Sequence, residues 1–271
     1  MEVRNLAVIG IDAGGTMIKL AYEEKGRIHF RKYANTEMDA AMGWLKLFKW
    51  ERIALTGSQA AYLQSMYFPA VQIVSEFDAV SNGAKWLHEK ENPNSEEEFL
   101  LVNMGTGTSW FHIKKTSYKR ILGSGIGGGT IIGLSSMLTN EQNFSAITDL
   151  AAKGKHNKLD LLVKDLYDKE DIGVNGNLTA SNFGKGQEAN GSQEDGISSL
   201  FQMVAETIVL LTQQASTIHQ VDKIVYAGGA VYGNKPLQKI ITSFDYLFPA
   251  KQVFLQDGQF CGAIGAFLAI E

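Results

Sequence analysis

The feature that most constrains this chain is a duplication. The run Val8-Ile9-Gly10-Ile11-Asp12-Ala13-Gly14-Gly15-Thr16 and the run Leu100-Leu101-Val102-Asn103-Met104-Gly105-Thr106-Gly107-Thr108 follow one pattern about 91 residues apart. In each, an apolar segment ends in Asp or Asn, a Gly/Thr turn follows, and a second apolar segment leaves the turn. Short β-branched and aromatic segments bounded by glycine read as strands joined by a tight turn. Two copies at so long a period describe a duplicated domain, because solenoids need three or more shorter repeats.

The flanking sequence extends both copies. Leu6–Asp12, Met17–Glu23 and Ile28–Tyr33 read as a meander of three strands. The spacing of Met38, Ala41, Met42, Leu45 and Phe48 predicts a helix over Glu37–Lys49. A strand at Ile53–Leu55, a helix over 59–66, a strand at Val71–Val74 and a helix over Asp78–His88 follow. Asn92-Pro93-Asn94-Ser95, running into Glu96-Glu97-Glu98, is the polar punctuation expected of a domain boundary. It divides the chain into an N-terminal domain, 1–97, and a C-terminal domain, 98–271, of an α/β protein. The pattern then restarts with strands at Phe99–Asn103, Ser109–Ile113 and Tyr118–Leu122. Helices are expected over 129–138, 143–152, 158–167 and Ile197–His219, the last as core or as an interface. Strands at Asp222–Tyr226 and Gln252–Leu255 and a helix over Phe260–Ala269 complete the reading. The polar segment 171–196, rich in Gly, Asn and Ser, is long for a connection inside a domain, and is expected to be mobile until a ligand orders it.

Composition removes several classes of function. The 29 acidic and 25 basic residues give a net charge of −4, without the basic surplus of a dedicated nucleic-acid binder. No apolar run approaches the roughly 18 residues of a membrane span, and the first residues lack a signal-peptide pattern. A cytoplasmic protein is expected. One cysteine, Cys261, excludes an intramolecular disulfide and a thiolate-ligated cluster, and the five histidines do not fall at metal-ligand spacing.

The glycine-rich turns carry the chemistry. In Asp12-Ala13-Gly14-Gly15-Thr16 the glycines let the backbone approach a ligand and aim N–H groups at phosphate, while a carboxylate at a strand end can hold Mg²⁺ directly or through water. A hairpin turn with a capping Asp is the plainer alternative. The second turn, Thr106, Gly107 and Thr108, at the same point of the repeat favours function: two such loops facing each other grip a polyphosphate from both sides. Lys19 on the outgoing strand either reaches a phosphate or lies on the surface. A third element, Ile224–Ala227 running into Gly228 and Gly229, offers flat backbone to a planar ring. Gly123-Ser124-Gly125-Ile126-Gly127-Gly128-Gly129 contains the G-x-G-x-x-G pattern of dinucleotide sites, yet no strand with a terminal acid follows, so the dinucleotide reading fails. At a helix start, Gly128 and Gly129 suit an anion instead. In Ser75-Glu76-Phe77-Asp78, Ser75 is a good N-cap and Asp78 its capping-box partner.

Three glycine loops in this order resemble the superfamily of acetate and sugar kinases, Hsp70 and actin, over nearly the whole chain. That resemblance implies two ribonuclease-H-like domains, the actin-like ATPase fold, with ATP in the cleft between them. Within it, Ile11–Thr16, Glu76-Phe77-Asp78-Ala79, Asn103–Ser109, Arg120-Ile121-Leu122-Gly123 and Leu178-Thr179-Ala180-Ser181-Asn182-Phe183-Gly184 are similar in order and spacing to type II pantothenate kinase. The resemblance implies MgATP-dependent phosphorylation of pantothenate by a homodimer. It makes Glu76 the general base, Arg120 the reader of the pantothenate carboxylate and Thr179 a substrate contact. Asp12 would hold Mg²⁺; Gly14, Gly15, Thr16, Lys19, Thr106, Gly107, Thr108, Gly128, Gly129, Gly228 and Gly229 would bind the nucleotide. Two other readings remain: a kinase of another small alcohol such as an amino sugar, and a non-catalytic ATP sensor of the same fold.

Overall fold

The computed structural model describes residues 4–93, 98–167, 175–186, 190–249 and 252–271. The first half holds strands β1 (Arg4–Ala13), β2 (Met17–Glu24), β3 (Arg27–Ala34), β4 (Phe48–Thr56) and β5 (Gln72–Ile73), and helices α1 (Met38–Leu45), α2 (Ala60–Tyr67) and α3 (Glu76–Glu91). The second holds β6 (Phe99–Met104), β7 (Thr108–Ile113), β8 (Tyr118–Ser124), β9 (Leu161–Leu162), β10 (Thr179–Ser181), β11 (Ile224–Ala227) and β12 (Val253–Phe254). Its helices are α4 (Gly128–Thr139), α5 (Phe144–Lys153), α6 (Val163–Leu166), α7 (Gln193–His219), α8 (Lys235–Thr242) and α9 (Cys261–Leu268).

Two five-stranded sheets share one topology. The first runs β3-β2-β1-β4-β5 and the second β8-β7-β6-β11-β12. In both, the meander is antiparallel and the last two strands are parallel to the first. The duplication extends beyond the two hairpins. Gly57 follows β4 and Gly228 follows β11, with φ of +91° and +101°. A Cβ on Gly57 would stand 2.5 Å from the Ala13 carbonyl oxygen, and one on Gly228 would stand 2.3 Å from that of Met104. Both positions therefore demand glycine twice over, by conformation and by space. The chain then returns identically: the Gln59 N–H donates to Ala13 O at 2.8 Å, and the Ala230 N–H to Met104 O at 3.0 Å.

Three apolar cores result. Ile9, Ile11, Ile18, Leu20 and Leu55 pack beneath α1 and α2. Leu100, Val102 and Trp110 pack against α4, α5, α7 and α8. The third core joins the halves: Val8, Val80, Ala84, Leu87, Phe99, Leu101, Phe111, Val225 and Ile264 form one cluster, with α3 and α9 between the sheets. These two helices occupy equivalent places in the repeat and cross at small residues. A Cβ on Gly83 would lie 1.9 Å from the Cys261 carbonyl oxygen, and one on Gly265 would lie 1.8 Å from that of Ala79. The contact is reciprocal, backbone against backbone.

Several sequence expectations need correction. The helix from Glu37 stops at Leu45, and Phe48 and Lys49 enter β4, paired with Arg4 and Asn5. Phe48 is drawn into an aromatic cluster with Trp44, Trp50 and Tyr22, and Trp50 donates its indole N–H to the Leu45 carbonyl. The helix expected over 158–167 breaks up because Asp160 turns inward, fully buried, to accept from the Phe183 N–H and from His156. Leu161 and Leu162 then pair with 179–181. Helix α7 starts at Gln193 rather than Ile197, capped by Ser192 and Asp195. Its Ile197, Leu200, Phe201, Val204, Ile208 and Val209 are wholly buried in the second core, so that stripe is core and not an interface. Helix α8 was not anticipated; Asn234 caps it and Pro236 sits in its first turn. Of the segment 171–196, residues 171–174 and 187–189 lie outside the described residues, as do 94–97 of the boundary segment.

Candidate active site

Two of the charged residues singled out from the sequence, Asp12 and Glu76, lie at the C-terminal ends of parallel strands, where open α/β sheets collect their ligands. Asp12 lies at the end of β1, in register with Thr56 at the end of β4. Glu76 opens α3, separated from β5 by Val74 and Ser75, and is exposed. Burial pushes the Asp12 carboxyl up from its ordinary range; the Lys19 ammonium works against that shift and the Glu76 carboxylate adds to it. The Lys19 Nζ stands 3.9 Å from Asp12 Oδ2, and the lysine side chain is only 18% exposed. Lys19 is thus paired and mostly buried rather than free on the surface. A Cβ on Gly229 would lie 4.0 Å from Lys19 Nζ, so the third loop of the second half closes over the charged pair of the first.

The first loop is held from behind. The Asn35 side-chain amide donates to the carbonyls of both Gly14 and Gly15, at 2.9 and 2.8 Å, and the Asn35 N–H donates to Thr16 O at 3.0 Å. Gly15 and Thr16 stand exposed at its tip. Sequence reading missed Asn35; an amide just after a strand was its only signal.

The second loop packs on the glycine-rich run. Gly128 N–H donates to Gly105 O and Gly129 N–H to Thr106 O, at 2.9 and 2.8 Å. The Thr108 hydroxyl, buried, donates to Ile126 O at 2.8 Å. The expectation that Gly128 and Gly129 offer N–H groups to an anion is corrected by these bonds. Their N–H groups brace the second loop, and Thr106 is its exposed residue. Gly128 also touches Ala230, and the Gly228 N–H donates to Gly258 O, so loop two, the glycine run and loop three form one backbone-packed unit.

The capping role expected for Asp78 is also corrected. Ser75 makes no side-chain capping bond, and Asp78 Oδ1 instead accepts from the Tyr118 hydroxyl at 2.6 Å. Burial and this bond push the Tyr118 phenol up to about 12. Phe77, between the two acids, lies under Arg120, whose guanidinium carbon is 5.0 Å from the ring centroid. Phe77 and Arg120 are thus brought together, with Glu76 beside Phe77 at the start of α3.

Thr179 belongs to a different cluster. Its hydroxyl donates to Glu206 Oε1 at 2.6 Å, and Glu206 also accepts from Gln202 and Asn182 at 2.8 and 3.1 Å. Sequence reading missed Glu206, the one acid of α7 beyond its first turn. Glu206 ties Thr179 and Asn182 to α7 and Asp160 holds Phe183, so this part of the expected mobile segment is anchored. Cys261 is buried, and burial pushes its thiol up to about 12, which leaves it unreactive.

Two duplicated sheets, glycine loops at equivalent strand ends and a charged pair between them define a protein of the actin-like ATPase class. Component A of the Acidaminococcus fermentans (R)-2-hydroxyglutaryl-CoA dehydratase shares the architecture with a TM-score of 0.67 at 16% identity, over 97% of this chain and 96% of that one. A ROK family glucokinase from Streptomyces griseus, solved with glucose and AMPPNP, aligns with a TM-score of 0.57 at 15% identity, over 97% and 98%. Closer sequence relatives exist. A type II pantothenate kinase of Oceanobacillus iheyensis is 37% identical over 263 residues, 96% of this chain and 98% of the relative. One of Bacillus thuringiensis subsp. konkukian is 38% identical over 268 residues, 97% of each. Residues 23–269 match the Fumble family. The chain belongs to that family, the type II pantothenate kinases.

Proposed function

We propose that this chain transfers the γ-phosphoryl group of MgATP to the primary hydroxyl of pantothenate, giving 4'-phosphopantothenate at the start of coenzyme A biosynthesis. The observation that carries the reading is the meeting of Asp12, Lys19 and Glu76 at the strand ends, closed over by Gly229. Family membership supports the acceptor, and the nucleotide analogue bound to the glucokinase neighbour supports ATP.

The two halves, 1–97 and 98–271, would grip the triphosphate between the first loop and the second, with adenosine beside Gly228 and Gly229. Lys19 would neutralise phosphate charge. Glu76 would orient the acceptor hydroxyl and take its proton onto a carboxylate oxygen as the bond to phosphorus forms. Arg120 would pair with the pantothenate carboxylate, and Thr179 would contact the acceptor. Phosphoryl transfer has little covalent work for a protein to do, so positioning and charge stabilisation carry the rate.

A magnesium ion fits this donor set. Among the described residues no group of three or more His, Cys, Asp or Glu could hold a metal; Mg²⁺ needs no such cage, since it takes one or two carboxylates plus phosphate oxygens and keeps its waters. Asp12 offers that carboxylate, and Thr56, its register partner, has a buried hydroxyl without a partner. Held by Asp12, the ion would offset the negative charge of the transferring phosphoryl group.

We place the reaction in the cytoplasm, where ATP is available; no described helix is long and apolar enough to cross a membrane. A homodimer is the proposed assembly, with Leu210 and Ile218 of α7 and Met137 of α4 as exposed apolar surface. An ATP-consumption screen over pantothenate, pantetheine, N-acetylglucosamine and glucose tests the function. Turnover with pantothenate is expected; turnover with a sugar alone would transfer the chain to the sugar kinases.

A further inference from the structure

Arg120 is the residue through which the proposed site would recognise a carboxylate, and its surroundings were not legible in the sequence. Strands β7 and β8 pair Trp110 with Leu122 but Phe111 with Arg120, a register shift that makes Ile121 the extra residue of a bulge. Side chains alternate between faces along a strand, so one inserted residue moves every later side chain to the opposite face. Without the bulge, Arg120 would lie opposite His112. With it, Arg120 lies opposite Phe111, on the face of Phe111 and Ser109. That face looks toward the start of α3, where Phe77 meets Phe111 with ring centroids 5.7 Å apart.

Three groups receive the guanidinium there. Its carbon lies 5.0 Å from the Phe77 ring centroid. Its Nε donates to Ser109 Oγ at 3.4 Å. The place a Cβ on Gly123 would occupy is filled by Arg120 Nη2, 1.9 Å away. Gly123 is exposed and its backbone is not in the left-handed region, so neither conformation nor core packing asks for glycine at this position. The three atoms nearest that place all belong to the guanidinium.

We propose that Gly123, Phe77 and the bulge at Ile121 form a seat that fixes the Arg120 fork, and that Gly123 and Phe77 are positioning residues for recognition of a carboxylate. The proposal rests on the reading of Arg120 as the group that pairs with the pantothenate carboxylate. A planar fork binds a carboxylate through two parallel hydrogen bonds and loses that advantage when its plane turns. Phe77 and Glu76 are adjacent on α3, so the seat also sets the distance between the reader of the acid end and the proposed base at the hydroxyl end.

The test compares pantothenate with pantetheine, a neutral amide that keeps the reacting hydroxyl. Gly123→Ala meets only the far end of a flexible side chain, so the variant is expected to fold with an unchanged melting temperature. Its pantothenate KM should rise roughly tenfold, while the KM values for pantetheine and ATP stay within about twofold. Phe77→Leu should raise the pantothenate KM roughly 3- to 30-fold, the range a cation–π contact supports, again sparing pantetheine. A merely structural role would affect both acceptors alike. Arg120→Lys is the reference: if it abolishes the preference for the acid but Gly123→Ala and Phe77→Leu do not, the seat is overturned and Arg120 keeps its role. If Arg120→Lys leaves the preference intact, the reading of Arg120 falls and the seat with it.

Discussion

One glycine-to-alanine substitution, made at two places, separates packing from helix propensity by sign. Gly133 lies in the middle of α4, exposed, with nothing within 4 Å of where a Cβ would stand. There, Gly→Ala should stabilise by about 0.5–1 kcal/mol, because alanine has less conformational freedom to lose in a helix. Gly83 lies inside α3, where the same propensity gain applies. Its Cβ, however, would stand 1.9 Å from the Cys261 carbonyl oxygen and 2.8 Å from the carbonyl carbon. Neither is the end of a side chain that can swing away. The contact is relieved only if α3 and α9 part by about 1 Å, which a close-packed interior resists. Overpacking of this kind costs about 1–3 kcal/mol, and a backbone obstacle places Gly83 at the top of that range. The net expectation for Gly83→Ala is a loss of about 2 kcal/mol. In chains of roughly this size 1 kcal/mol moves the melting temperature by about 2–4 °C. Gly133→Ala should therefore melt a few degrees above the parent and Gly83→Ala several degrees below it, as followed by far-ultraviolet circular dichroism. If both variants melt higher, the two backbones are not in contact and the shared core has been misread.

The remaining expectations concern the site. Glu76→Gln should lower kcat by roughly 10²–10⁴-fold at unchanged ATP affinity and melting temperature; retention of more than a tenth of parental kcat would remove Glu76 as base. Asp12→Asn should abolish turnover yet raise the melting temperature at neutral pH, because burial holds the folded-state pKa of Asp12 above its unfolded value. A carboxyl shifted in this direction favours folding while protonated and loses that contribution as pH rises through the carboxylate range. The stability gain of Asn should therefore shrink on acidification, and differential scanning fluorimetry across pH reads this directly; a gain that grew toward acid would refute the burial argument. Asp78→Asn should keep most of the activity, since its carboxylate is engaged with Tyr118; a loss as large as that of Glu76→Gln would exchange their roles.

The duplication announced the architecture because both hairpins use the same turn chemistry, and turn chemistry is local. Asp12 was legible for that reason, standing where a strand meets a glycine turn. Glu76 and Arg120 were legible only through resemblance. What remained hidden depended on partners remote in the chain. Asp78 has the spacing of a capping residue, yet Tyr118, forty positions away, takes its carboxylate. Lys19 looks like any lysine on a strand until Asp12 and Gly229 enclose it. The end of the helix at Leu45 was misplaced because Phe48 satisfies the helical period, while the preference of its ring for Trp44 and Trp50 is a tertiary matter. Gly128 and Gly129 resemble an anion loop, and only the neighbouring carbonyls of Gly105 and Thr106 show where their N–H groups go. The equivalence of α3 and α9 escaped notice because their sequences share little beyond small residues four apart.

The position of α9 bears on how the chain is made. It follows every other helix of the described residues in chain order, yet it lies on β1: the space a Cβ on Gly10 would need is taken by the Ala263 carbonyl oxygen and the Phe267 backbone nitrogen. While translation proceeds, the first half is therefore a sheet with one face uncovered, and Val8, Val80 and Ala84 wait for Ile264 and Phe267. The amino-terminal half cannot complete its core until α9 has been made, however early it emerges. A chain interrupted before Cys261 would leave both halves incomplete.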